Sequence, residues 1–529
     1  MILRESFFNY QSSHQHRKPR PLDVWRQRAL FTALLIIVSA SAAHGETLKA
    51  QITVLSVAPA RVRIVGERSM PTRAWSFRNM YASAMNLGER IEKLTLADAS
   101  GADVPVRKLA PGEYESASAA TRFVYEMNLD APLFEGDAAH VSWLTTERGF
   151  LMLGDLLPLS TSEKDGVKAS ASLRFVLPVN WTIAGGVHAS SDGAFEVEDA
   201  EAAIFFVGQN LREKRQRIGA MEFTYVTAGD WAFSDEDVAD LAASILKDHA
   251  GTFGGTAQSR AMLVLAPFPR AAGADHWSAE TRGGTVTLLV GKSPSRTAAL
   301  AQLSFPLAHE LFHLWIPNGL ALDGNYDWFY EGFTLYQALR ATVRLDLLTF
   351  QDYLNALGRA FDAYKSAQGR GELSLLDASE RRWTVSPALV YNKGMLAAFL
   401  YDLSLRQKTK GKRSLDDVYR ELYRLHNASQ SRVDGNRAAL AALNNAGEMQ
   451  ELTRRYIEGT SAIDLGAAIA PFGLVVESFG ARTRISVGAT LSGAQRDLLR
   501  KFGYNEKLDG THRRPAGSHA QMIFRSETN

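Results

Sequence analysis

The chain has no cysteine, which excludes disulfides and a thiol nucleophile and leaves the redox character of its compartment open. It also has almost no net charge, since 59 Lys and Arg against 57 Asp and Glu leave +2. That balance gives no footprint for nucleic acid or for a charged membrane surface. Long apolar runs are missing as well. The apolar stretch 29–40 is too short to span a bilayer comfortably. Internal repeats and low-complexity tracts are absent, so neither a solenoid nor a disordered chain is expected.

What is present begins with a targeting pattern. Arg17, Lys18, Arg20, Arg26 and Arg28 precede the apolar stretch, and Ser41, Ala42 and Ala43 follow it before Gly45 and Glu46. A basic region, an apolar region and small residues in that order predict a cleaved leader over 1–45 and an exported protein, periplasmic or secreted. No stable membrane span is expected after cleavage, and an uncleaved anchor is the alternative.

The remaining chain is ordinary in composition, 46% apolar, and long enough for roughly two or three domains with cores that need no cross-links. From 46 to 216 the pattern is mainly that of strands. The stretches 62–67, 91–96, 123–127 and 172–178 alternate or cluster apolar residues between Gly, Asp and Ser turns, which predicts a β-sandwich-like domain. The charged run Arg212-Glu213-Lys214-Arg215 reads as a solvated edge or linker and marks the boundary. A second domain, 217–473, opens with a strand at 221–227 and a helix from Ser234, a good N-cap followed by Asp235, Glu236 and Asp237. Another buried strand is expected at 261–268. Strands first and helices later make an α+β fold.

The helix predicted at 306–315 contains His309, Glu310, Leu311, Phe312 and His313, the HExxH pattern. Two histidines four apart share one helical face and reach a single ion, with Glu310 beside it near a water. Zinc suits that geometry best. The bland reading is a buried amphipathic helix, and a third ligand decides against it. Glu331 follows His313 after seventeen residues and opens a helix predicted to run to Thr342. Pro317, Asn318, Gly319, Asp323, Gly324 and Asn325 lie between, turn formers that let the chain double back. Asp327 is a candidate partner for the histidines and the rival third ligand. His249, His276 and His426 have no ligand spacing and read as structural.

The HExxH motif followed by Trp328-Phe329-Tyr330-Glu331-Gly332-Phe333-Thr334 resembles the glutamate-zincins, in particular the glycyl aminopeptidase family, which is related to the aminopeptidase N family. The connection is one residue shorter than the aminopeptidase N spacing, a small change in closure entropy. The resemblance implies a thermolysin-like zinc peptidase domain, with His309, His313 and Glu331 as ligands, Glu310 as general base and a peptide or protein as substrate. Val390-Tyr391-Asn392-Lys393-Gly394 resembles the segment whose tyrosine donates to the oxyanion, which implies that role for Tyr391. Leu177-Pro178-Val179-Asn180-Trp181 resembles a segment of the family's N-terminal domain, so the similarity covers much of 181–459.

Two expectations concern specificity. Gly283 and Gly284 precede an apolar strand at the right distance upstream to be the sheet edge that pairs with substrate, and a hairpin turn entering an internal strand fits equally. Related aminopeptidases carry a glutamate shortly after these glycines to hold the substrate's amino group. Thr285, Val286 and Thr287 offer no carboxylate there, so endopeptidase action stands beside aminopeptidase action, with Glu280 as a conceivable substitute. The other function class is a zinc-containing binding protein without catalysis. The family commonly ends in a PDZ module; here 474–503 predicts only a few strands and a short helix in a short C-terminal extension, 474–529, whose end, 513–529, is polar.

Overall fold

The computed structural model describes residues 46–159, 168–384, 387–445, 447–480 and 482–505. The leader expected over 1–45 and the polar end 513–529 lie outside those residues.

Alternation along strands builds three stacked layers. The N-terminal part carries an eight-stranded and a four-stranded sheet, and the stretches expected as strands lie in Ala60–Ser76, Ile91–Ala97, Glu113–Asn128 and Ser170–Val176. Phe205 and Val207 of the four-stranded sheet share a core with Ile52, Ile64 and Tyr125 of the larger one. Their neighbours Ile204 and Phe206 point the other way and pack with Val226, Met262, Val264 and Leu289 of a third, five-stranded sheet. Residues between those last positions, Phe223, Tyr225, Leu263, Leu265, Val286 and Leu288, face the helices. Both faces of the middle and third sheets are therefore covered, which keeps water from the sheet that positions the site.

In the third sheet the spatial order is Arg212–Ile218, Met221–Thr227, Arg260–Pro267, Thr285–Val290, Trp277–Arg282. The charged run 212–215 lies in its outermost strand on one side, Arg212–Ile218, paired antiparallel with Met221–Thr227. On the other side the edge is Trp277–Arg282. Of the two readings of the glycines the hairpin turn holds and the substrate-pairing edge does not: Gly283 and Gly284 form the turn, and the strand after them is internal, hydrogen-bonded to Arg260–Pro267 as well. Gly283 takes φ +53°, a turn conformation that a side chain would strain.

The helix carrying HExxH begins ten residues earlier than expected, at Arg296 rather than 306, and ends at Phe312. Ser295 caps it, its hydroxyl accepting from the Ala298 N–H at 3.2 Å. Pro306 sits inside the helix; proline at that point reads as a first-turn residue, but burial of Ala299, Leu303, Leu307 and Leu311 against the sheet outweighs its missing N–H. The cap expected at Ser234 holds, at the start of Asp235–Phe253, and Thr349 and Ser414 likewise precede the helices Phe350–Lys365 and Leu415–His426. The strands Leu474–Phe479 and Arg482–Val487 and the helix Gly493–Arg500 follow, as expected for that stretch. Among the described residues no helix is long and apolar enough to cross a membrane.

Candidate metal centre

The helix ends where its second histidine is needed. His313 is the residue just beyond Phe312, and its Nδ1 lies 2.8 Å from the Ile316 carbonyl. That carbonyl only accepts, so Nδ1 carries the proton and, in the neutral ring, Nε2 keeps a lone pair for an ion. Nε2 of His313 and Nε2 of His309 face each other at 3.0 Å. The turn-rich connection is braced where Leu322–Asp323 pairs with Val433–Asp434. It delivers a wide, π-type turn at Trp328–Phe333, which continues as the helix Thr334–Arg344. Glu331 sits on that turn, and its Oε2 is 3.4 Å from His309 Nε2 and 3.6 Å from His313 Nε2.

These atoms fit a tetrahedral ion. Zinc held at about 2.0–2.1 Å from each donor separates neighbouring donors by about 3.3–3.4 Å, close to the spacings seen. Ligand atoms of His309, Glu310 and His313 also lie within 4.8 Å of one another, so two carboxylates compete for one place. Their surroundings separate them. Burial would raise Glu331, yet the Arg382 charge and the two imidazoles hold it well below the usual carboxylate range. Burial dominates at Glu310 and raises it, against the opposing pull of His309 and His313. One carboxylate is kept ionised as a ligand must be, and the other is poised to exchange a proton. Burial also disfavours a charge on His313, but the hydrogen bond and charge of Glu331 and the charge of Glu310 raise it to about 9. The pocket favours positive charge.

Two neighbours that sequence reasoning missed set these carboxylates. The Thr281 hydroxyl, on the edge strand, lies 2.7 Å from Glu310 Oε2 and 3.1 Å from the Glu310 carbonyl. Arg382, buried, contacts Glu331 Oε1 at 2.9 Å and Asp327 Oδ1 at 2.6 Å, and its Nη2 donates to the Tyr391 hydroxyl. No local pattern marks Arg382. Strand alternation would have put Thr281 on the helix face once the edge was located. Asp327, the rival ligand, turns to Arg382 and to the Tyr330 hydroxyl.

Tyr391 arrives on a second π-type turn, Leu389–Lys393, which leads into the helix Gly394–Lys408. The two wide turns touch through glycines. A Cβ on Gly332 would lie 2.5 Å from the Val390 carbonyl oxygen and 2.6 Å from Gly394 Cα. Only paired glycines let the backbones carrying Glu331 and Tyr391 approach so closely.

The glycine hairpin does not join this group. The Gly283 N–H donates to Asn318 Oδ1 at 3.1 Å, and the Gly284 carbonyl accepts from Met262 at 2.8 Å. Glu280, on the edge strand beside Thr281, is held from the N-terminal sheets. Tyr81 donates to it at 2.8 Å and His140 Nδ1 lies 2.5 Å away, with Arg282 at 3.4 Å. Burial works against its charge, but Arg282, His140 and Tyr81 bring its pKa down to about 2. His249, read as structural, has Nε2 at 2.9 Å from the Ala308 carbonyl and buttresses the helix from behind.

Residues 321–396 match the model of the M61 glycyl aminopeptidase family. The fold is similar to that of an aminopeptidase N family protein from Idiomarina loihiensis, with TM-score 0.68 at 16% identity over 81% of this chain and 79% of that one. It is also similar to the M1 zinc metallopeptidase of Deinococcus radiodurans bound to a Tyr-Ser-Ala substrate, with TM-score 0.53 at 14% identity over 80% of this chain and 95% of that one. No curated protein matches the chain in sequence.

Proposed function

We propose that the chain is a peptidase like those of the M61 glycyl aminopeptidase family, whose model matches residues 321–396, and that it hydrolyses peptide bonds with zinc held by His309, His313 and Glu331. One observation carries the reading: three lone-pair donors from two elements converge within 3.0–3.6 Å, with a protonatable Glu310 alongside. A zinc ion held there supplies Lewis acidity and a water activated near neutral pH. Glu310, aimed by Thr281, takes the proton of the attacking water and hands it to the departing amine. Tyr391 donates its phenolic proton to the oxygen of the tetrahedral intermediate. The edge strand Trp277–Arg282, last in its sheet, is the place for an extended substrate to add by backbone hydrogen bonds. The leader pattern read at 1–45 supports an activity outside the cytoplasm.

The test uses the purified chain and a diverse peptide library. A chelator should abolish hydrolysis and zinc restore it, and Glu310→Gln should lose hydrolysis while retaining one zinc per chain. Wild-type turnover in Glu310→Gln would overturn the assignment. Stoichiometric zinc with no turnover on any peptide would instead favour a binding protein.

A further inference from the structure

Arg382 is a buried cation whose charge keeps Glu331 ionised but whose fork of donors the proposed reaction does not use. It lies on the loop between the helix Leu375–Glu380 and the turn that carries Tyr391. Guanidinium has donors only, in a planar fork. Nη1 serves Asp327 Oδ1 at 2.6 Å and the Tyr330 hydroxyl at 3.2 Å. Nη2 serves Glu331 Oε1 at 2.9 Å and the Tyr391 hydroxyl. Trp383 covers the fork, its ring centre 4.4 Å from Cζ.

Two consequences follow from donors meeting these acceptors. Glu331 Oε1 is occupied, so the oxygen turned to the imidazoles is Oε2, and the carboxylate offers one oxygen rather than two. The phenol oxygen of Tyr391 is an acceptor toward Arg382, so its own proton must point to a different acceptor. A neutralising cation alone would need neither feature, since Lys places charge beside Asp327 and Glu331 without a fork. We infer that Arg382 is a positioning residue that joins the third-ligand carboxylate to the phenol, fixing which oxygen of Glu331 faces the metal and where the Tyr391 proton is directed. The inference rests on the roles proposed above for Glu331 and Tyr391.

The experiment compares the full chain with Arg382→Lys, Asp327→Asn, Tyr391→Phe and the double variant Arg382→Lys/Tyr391→Phe. Zinc affinity is read by competition with a chromophoric chelator, and kcat and KM are read at saturating zinc. Arg382→Lys should weaken zinc about 10–100-fold, the usual effect of losing a partner behind a ligand. It should lower kcat by about tenfold or more with KM nearly unchanged, because the misdirected proton matters only in the transition state. In the Tyr391→Phe background the same substitution should cost kcat no more than about twofold, since the shared proton is already gone. Asp327→Asn, which loosens the anchor of the fork, should weaken zinc in the same direction. It alone decides the zinc arm if Arg382→Lys does not fold. Zinc affinity within about twofold of wild type in the folded variants would overturn the inference, as would a kcat loss undiminished by Tyr391→Phe. A wild-type chain that takes up no zinc fails earlier, at the ligand assignment, and takes this inference with it.

Discussion

Replacing Gly332 with alanine tests whether the contact between the two wide turns sets the catalytic geometry. The added methyl would meet the Val390 oxygen at 2.5 Å, Gly394 Cα at 2.6 Å and Gly394 carbonyl carbon at 2.9 Å. All three are backbone atoms, so no side-chain rotamer relieves the clash. Restoring ordinary contact separates the turns by about 1 Å. Overpacking of that kind costs about 1–3 kcal/mol, less than the whole stability of a domain, about 5–15 kcal/mol. The variant should therefore fold. Glu331 and Tyr391 lie on opposite sides of the contact, and a displacement of about 1 Å costs about a hundredfold in rate. Circular dichroism melting, zinc content and kcat on one peptide distinguish the outcomes. We expect a modest loss of stability, retained zinc and kcat down by about two orders of magnitude. A folded Gly332→Ala with kcat near wild type would refute the idea that the glycine pair sets the spacing of ligand and phenol.

Other outcomes follow from the same geometry. Thr281→Val, nearly isosteric, removes a hydrogen bond to Glu310 worth about 1.5–3 kcal/mol; kcat should fall about 10- to 150-fold with zinc content unchanged, and Thr281→Ser should recover most of it. Acetylating the N-terminus of a good peptide substrate should stop an aminopeptidase and spare an endopeptidase, as product analysis by mass spectrometry would read. Burial holds Lys393 down at about 8 from its ordinary 10.5, so the folded chain binds fewer protons than the unfolded one between those values. Stability should rise with pH across that window and be lost again as pH falls through about 8. At about 1.4 kcal/mol per unit the effect is about 3.5 kcal/mol. Denaturant unfolding of Lys393→Met should show a chain more stable than wild type at pH 7, by a margin that shrinks toward pH 10.5. A margin constant with pH would sink the argument.

Periodicity and spacing made much of this legible. His309 and His313 announce a shared face four residues apart, and Ser234 and Thr349 begin helices because their hydroxyls accept from the N–H groups of Asp237 and Asp352. What depends on covering from both sides was harder to read. Ile204-Phe205-Phe206-Val207 is buried throughout, because that sheet is packed on both faces, and an unbroken apolar run does not distinguish strand from helix. The glycine pair was ambiguous for a related reason: a hairpin turn and an edge entry need the same two residues, and the sheet order alone separates them. Pro306 shifted the expected helix start, since nothing local reveals that earlier turns would be buried. Arg382 had no signature, because its four acceptors come together only when the second helix returns.

The hold that Tyr81 and His140 keep on Glu280 bears on how small a working version of this enzyme can be. Cutting away the N-terminal sheets to keep only the chemistry would strip a sealed carboxylate of two of its partners, one strand position from Thr281. The same cut would also bare the face of Val226, Met262, Val264 and Leu289 that the four-stranded sheet covers, an apolar patch that invites association. A minimal fragment built from 212–505 should thus be soluble only with difficulty, and one that also replaces Met262 and Val264 on that face with polar residues should be the hardier of the two.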